Sequence, residues 1–496
     1  MQTSRWWPQV IVLGVSAVLM AQPSPPRGTA NAVEILRLAL DAAGGRRTIA
    51  DLSTIRFRDV SEGSTHDQSP TSEPPFTITR VDDLVVVDPF GERVFRHERG
   101  ATYEQTFQVD GHEGWLSNPT RPVARLAAGA AVDAQRRVAR RLPALLLLEV
   151  SGRAETAIVK ARAAFNGRPH DIVTVTLADG LLLRLWIDAG TRLLSKHERP
   201  YLDASLGDTI EETIFNDYRS IGGVQLPSTY LVRRGPFIIR HSTLSDVEVN
   251  PATGFSFRPA ADAAPAPADP SRPFHAVRRL ANRVYLLEQV AGQNFNVLFI
   301  DQDDGVVVVD APETRPHLGL NERVIATIRK TLPGRPIRYV VPTHHHTDHG
   351  GGLRPYIAEG IPVVTTPGNV AFVERVAAAS FGPRPDALAL RPRKPVIELV
   401  RDRQRTIRSG SHVIELHDIG PEYHTRENLA VWLPAERLLF LTDIFETAYR
   451  ASATWDGGGE LGRILAGRKW NIDLFVTSHS SPRRMADLRP SPGRQR

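Results

Sequence analysis

Four histidines and an aspartate crowd into the stretch Thr343-His344-His345-His346-Thr347-Asp348-His349-Gly350. Imidazole nitrogens and carboxylate oxygens are the ligand types that suit zinc and its neighbours. Without a metal, so many titratable groups would be costly to bury and would repel one another when charged. A solvated, histidine-rich loop is the alternative reading of the same residues. The apolar run Ile337-Arg338-Tyr339-Val340-Val341-Pro342 precedes them and reads as a short buried strand stopped by proline. Gly350, Gly351 and Gly352 follow and permit a sharp change of direction. The chemistry therefore sits in a loop at a strand's end, which is where sheet-based folds gather their functional residues.

Three later strands end in further candidate ligands. Val413–Leu416 leads to His424, Leu438–Leu441 to Thr442-Asp443, and Leu474–Thr477 to Ser478-His479-Ser480. The chain has no cysteine, so disulfides, thiolate ligands and a cysteine nucleophile are excluded together, and any metal must be held by nitrogen and oxygen. His345 is expected to face away from its neighbours and to pack or hydrogen-bond behind the ligands. His412 and His417 lie at odd spacing on the strand before His424 and point to opposite faces; a structural role is expected for both.

The elements that must position these groups alternate. Val284–Leu287, Asn296–Asp301 and Val306–Asp310 read as strands, Asn321–Leu332 as an amphipathic helix, Pro362–Thr366 as a strand and Asn369–Ala379 as a helix. A β-rich start and a mixed remainder predict two sheets between helical layers over residues 274–490. Upstream, Pro259–Pro273 is a proline/alanine linker that cannot build a core, so it marks a boundary.

Before the linker, residues 30–258 read as a separate domain. Asn31–Ala43 is a helix with Val33, Leu36, Leu40 and Ala43 on one stripe, stopped by Gly44-Gly45; Ile35 and Leu38 fall off that stripe, so burial on more than one side is expected. Short strands follow from Thr54 onward, with Phe76–Thr79 and Leu84–Val87 as two of them, and a helical interlude spans Arg121–Arg141, ended by Pro143. This predicts an α+β domain built on one antiparallel, curved sheet. Residues 1–22 have the form of an export signal: Arg5, then the apolar Val10–Ala21, too short to span a membrane. A cleaved signal places the protein in the periplasm or outside the cell, with membrane contact only through that segment if it is retained. With 61 basic against 55 acidic residues, the net charge of +6 is modest, and no basic block interleaved with aromatics supports nucleic-acid binding.

Two resemblances add to this. Residues 30–258 resemble the lipoprotein-carrier-like half-barrels in layout and in the phrases Leu40–Gly45, Leu185–Leu194 and Gly222–Pro227. That resemblance implies an apolar ligand on a concave face; a sheet used only for docking is the alternative. Over about Phe274–Pro490, His344-x-His346-x-Asp348-His349 with His424, Asp443 and His479 resembles the ligand set of the metallo-β-lactamase superfamily. It implies an αββα sandwich with two metal ions, zinc in the first place and iron or manganese also suited. His344, His346 and His424 would hold one ion and Asp348, His349 and His479 the other, with Asp443 bridging them.

The activity so implied is hydrolysis of an ester, thioester, lactone or amide of a small molecule by a hydroxide shared between the ions. Asp348 and Asp443 would be its catalytic carboxylates. The set is more similar to glyoxalase II and lactonases than to β-lactamases with a cysteine ligand. His346 in place of glutamate separates it from the di-iron flavoprotein branch. Tyr423 and Ser480 depart from the small residues usual beside the third and last histidines. A periplasmic carrier with a structural metal domain, and a β-lactamase, are the rival expectations.

Overall fold

The computed structural model describes residues 29–487 apart from 65, 102, 120, 127, 252–254, 260–275, 291–294, 314–318, 423 and 445–458. The expected signal (1–22), nearly all of the linker (259–273) and Tyr423 lie outside the described residues.

One antiparallel sheet of 13 strands carries the first part of the chain. It runs outward in both directions from its middle, where Ile55–Ser64 pairs with Phe237–Val249. Its outermost strands are Arg121–Arg125 and Ile158–Phe165, so it is open. Helix Ala30–Ala42 packs on helix Pro143–Ser151, and both cover a core that includes Val85, Val87, Leu185 and Leu226.

Several local expectations change. The buried stripe of the first helix is Ala32, Ile35, Leu36, Ala39 and Leu40, while Val33 is 41% exposed, because the second helix and the sheet approach it from adjoining sides. Residues expected to form two strands make one, Ile78–Asp88. The helical interlude splits into strand Arg121–Arg125 and helix Ala128–Ala139. Pro143 opens the next helix at its first turn, where a missing N–H costs nothing. A cavity of about 410 Å³ is lined by Arg137, Arg140, Arg141, Arg199, Arg234 and Arg240 with His197 and Glu211, and also by the apolar Leu181, Leu183, Val232 and Ile239.

His197 is buried there, and burial, then the Arg199 guanidinium, push its imidazole down to about 4 from 6.5. The unfolded chain therefore binds the extra proton first as pH falls. This share of stability is complete above about pH 6.5 and is lost as pH falls toward 4. That share is worth about 3 kcal/mol. Urea unfolding of the wild type and of His197→Gln at pH 7 and pH 4 is expected to show the wild type losing about that much more than the variant.

Two further sheets, of seven and six strands, form the second part. Their central strands, such as Val297–Gln302, Gly305–Val309 and Leu429–Leu433, are buried on both faces, and the period of two divides their side chains between layers. Val297, Phe299, Val306 and Val308 face helices Leu320–Thr331, Arg354–Glu359 and Val370–Ala378. Leu298, Ile300, Val307 and Val309 meet Ile414, Leu416, Val431 and Phe440 of the other sheet. Ala430, Trp432 and Leu439 pack under helix Gly459–Ala466. The order is helix, sheet, sheet, helix. Among the described residues no helix is long and apolar enough to cross a membrane.

Candidate metal centre

Strand Ile337–Val341 is almost wholly buried and ends at Pro342. A single helical turn, Thr347–Gly350, then closes on His346, whose carbonyl accepts the N–H groups of His349 and Gly350 at 2.9 and 2.8 Å. The extended backbone before the turn and the tight turn after it send the side chains of His344 and His346 to one side and those of Asp348 and His349 past them. Gly350 and Gly352 are required by space: a Cβ at Gly350 would stand 2.8 Å from Phe372, and one at Gly352 only 1.8 Å from the Asn321 amide.

All seven residues read from the sequence as ligands come together, in two groups. His344, His346, His424 and Asp443 offer donor atoms within 4.8 Å of one another, and so do Asp348, His349 and His479. Asp443 joins the groups. Its Oδ2 lies 3.3 Å from His344 Nε2, 3.0 Å from His424 Nε2 and 2.9 Å from His349 Nε2, while its Oδ1 lies 3.0 Å from His479 Nε2. Asp348 Oδ2 is 3.5 Å from His479 Nε2 and 3.8 Å from His349 Nε2. Asp443 reaches this position with φ +61°, a left-handed backbone that aspartate tolerates better than most residues.

The charge balance follows from burial. Desolvation, and then the neighbouring imidazoles, hold His344 and His346 well below the usual histidine range, so both rings are neutral. Burial opposes charge on His349 and His479 too, but Asp443 beside both, with Asp310 also beside His349, raises them. Burial would raise Asp443; its imidazole neighbours, His349 first, hold it well below the carboxylate range. The result is a carboxylate surrounded by nitrogen lone pairs and shared protons.

The donor set fits metal ions. His349 Nε2 and His479 Nε2 are 3.2 Å apart and cannot both carry a proton on those atoms without repulsion. His346 Nδ1 is buried and has no hydrogen-bond partner within the protein. A cation accepts such lone pairs, and all seven groups are nitrogen or oxygen.

Behind the ligands stands Asp310, which the sequence reading placed at the end of a strand and gave no part in the site. It is buried at φ +68°; its Oδ1 accepts Thr343 N–H at 2.8 Å, and its Oδ2 accepts Ser478 Oγ–H at 2.6 Å and lies 2.9 Å from His349 Nδ1. That fixes His349 with Nε2 turned toward Asp443. A carboxylate directly after the all-valine stretch Val306–Val309 was the available signal. Asn296 holds the last ligand loop through Thr477 and Ser480 carbonyls at 2.9 and 2.8 Å, and Glu422 caps the N–H of His424 and of Thr425. His345 Nε2 points to the Ser69 carbonyl at 2.8 Å, outside the ligand set. His412 pairs with Glu436 and His417 with Glu415, away from both groups.

Residues 293–484 match the family model of the metallo-beta-lactamase superfamily. Among solved structures, a metallo-beta-lactamase from Pontibacter korlensis aligns at 21% identity over 42% of this chain and 94% of its own, with TM-score 0.31. The flavodiiron protein from Giardia intestinalis aligns at 16% over 44% of this chain and 57% of its own, with TM-score 0.32. A DUF1329 family protein from Desulfovibrio piger aligns at 10% over 46% of this chain and 96% of its own, with TM-score 0.32. These three are likenesses of low score.

Proposed function

We propose that this chain, whose C-terminal domain belongs to the metallo-β-lactamase superfamily, is an exported two-metal hydrolase of a small carbonyl substrate. The observation that carries the reading is Asp443, with one oxygen set among three imidazole nitrogens and the other 3.0 Å from a fourth. His344, His346 and His424 would hold one ion, Asp348, His349 and His479 the second, and Asp443 both. When bound, zinc ions supply an activated water near neutral pH and polarise the oxygen under attack.

The chain's own residues set up that reaction. Asp310 and the Ser69 carbonyl orient His349 and His346. Asp348, with a side chain 17% exposed at the edge of the cluster, can accept a hydrogen bond from the attacking water and align it with the substrate carbonyl. An ester, thioester, lactone or amide is the proposed substrate class. Nitrogen and oxygen ligands also accommodate iron or manganese. The apolar start of the chain supports export to the periplasm or beyond.

Elemental analysis of the purified protein together with turnover of a panel of esters, thioesters, lactones, amides and nitrocefin tests this. Two ions per chain and hydrolysis lost in His346→Ala are the expected results. Two ions with no turnover, and a co-purified lipid, would favour a carrier; turnover of nitrocefin alone would make the protein a β-lactamase.

A further inference from the structure

Strands Ile55–Ser64 and Ile78–Asp88 pair antiparallel as far as Ser64 opposite Ile78, so residues 66–77 belong to the connection of a hairpin. Such a connection needs only about two to five residues, and this one is far longer than the turn requires. Both ends of this one are fastened to the N-terminal sheet. His66 is buried with Nε2 3.3 Å from Asp203 Oδ2, its ring stacks 4.9 Å from Phe237, and Phe76 meets the same Phe237 edge-on at 5.1 Å. Its middle lies on the candidate metal centre. Pro70 C=O accepts Arg426 N–H at 2.9 Å, Ser72 Oγ donates to Gly368 C=O at 3.2 Å, and Arg375 binds Ser72 C=O at 2.9 Å and the Glu73 carboxylate.

Two contacts reach the ligands themselves. The Ser69 carbonyl lies 2.9 Å from His346 Nε2 and 2.8 Å from His345 Nε2. The Gln68 side-chain amide donates to Asp348 Oδ1 at 2.9 Å. A carbonyl can only accept, so His346 must carry its proton on Nε2. A neutral ring then has a bare lone pair on Nδ1, the buried atom with no protein partner, in a ring 4.5 Å from those of His344 and His424. With Oδ1 of Asp348 occupied by Gln68, the other oxygen is the one turned toward His479 and His349. Outer partners of this kind orient metal ligands and set their tautomers.

We propose that the N-terminal domain completes the metal centre, with the Ser69 carbonyl and Gln68 acting as positioning groups for His346 and Asp348. The proposal rests on the two-metal reading above. It gives the N-terminal domain a part in metal binding independent of any ligand of its own.

The test uses the full chain in two forms: residues 67–75 replaced by Gly-Gly, and Gln68→Leu, which removes one exposed side-chain contact and should leave folding intact. Zinc affinity is measured by competition with a chromophoric chelator, the Co²⁺-loaded protein by its visible spectrum, and the His346 tautomer in metal-free protein by ¹⁵N NMR of the ring nitrogens. The wild type is expected to hold the proton on Nε2. The shortened loop should lose that preference and weaken zinc binding at both sites by about 10–100-fold, and Gln68→Leu should weaken it about tenfold at the site that Asp348 would hold, each with an altered Co²⁺ spectrum. Wild-type affinity and spectrum in Gln68→Leu and in the shortened loop would overturn the proposal while leaving the two-metal reading standing. If the shortened loop does not fold, unchanged values in Gln68→Leu alone overturn it. A wild type that binds neither Zn²⁺ nor Co²⁺ would overturn both.

Discussion

Asp443→Ala is expected to lose both metal ions and, with them, hydrolysis. Its two oxygens reach nitrogens of both groups, standing 2.9–3.3 Å from the rings of His349, His424, His479 and His344. Removing a partner behind a ligand costs about 10–100-fold in metal affinity or activity, so removing the shared ligand should cost more than about 100-fold. Asp443→Asn sharpens the point. It keeps the shape and one acceptor oxygen, but its NH₂ must face an imidazole nitrogen on one side or the other. That variant is expected to retain at most one ion. Elemental analysis and turnover measured on the same preparations check both variants; two ions bound to Asp443→Ala would remove Asp443 from the bridging position.

The second large effect is on stability. Phe440→Ala is expected to destabilise the C-terminal domain by about 3–5 kcal/mol. Phe440 is fully buried between the two sheets, on the strand Leu438–Phe440, and shares its layer with Val341, Val431 and Val476. The facing strands are held by their own hydrogen bonds and cannot close the resulting gap, so the cost includes a cavity as well as lost transfer energy. Set against a typical domain stability of about 5–15 kcal/mol, that is a large fraction. The strand ends three residues before Asp443, so metal binding should weaken with it. Urea unfolding of the metal-free protein isolates the packing share; a change in midpoint worth less than about 1 kcal/mol would mean that the sheets relax into the space.

The seven clustered residues could be found in the sequence because each belongs to a local pattern. Buried strands announce themselves as short apolar runs, and His344, Asp443 and His479 stand just beyond the end of one. The layers of the C-terminal part were legible for the same reason: strands buried on both faces read as continuous valine and leucine. Local pattern misled where tertiary packing chose between equals. Val33 fits a helical stripe as well as Ile35 does, and only the approach of helix Pro143–Ser151 decided which is buried. Pro143 can end one helix or open the next, and the fold used it to open one.

What the sequence by itself determined, then, is the donor chemistry: with no cysteine and with these histidines and aspartates at strand ends, nitrogen and oxygen ligands were fixed. What only the tertiary structure decided is which groups hold those ligands in place. Asp310 gains its role from folding back beside Thr343, His349 and Ser478. The Ser69 carbonyl meets His346 across 277 positions of chain. A backbone carbonyl is the same at every residue, so no choice of amino acid marks it in the sequence. Only the path of the chain brings it to the ring.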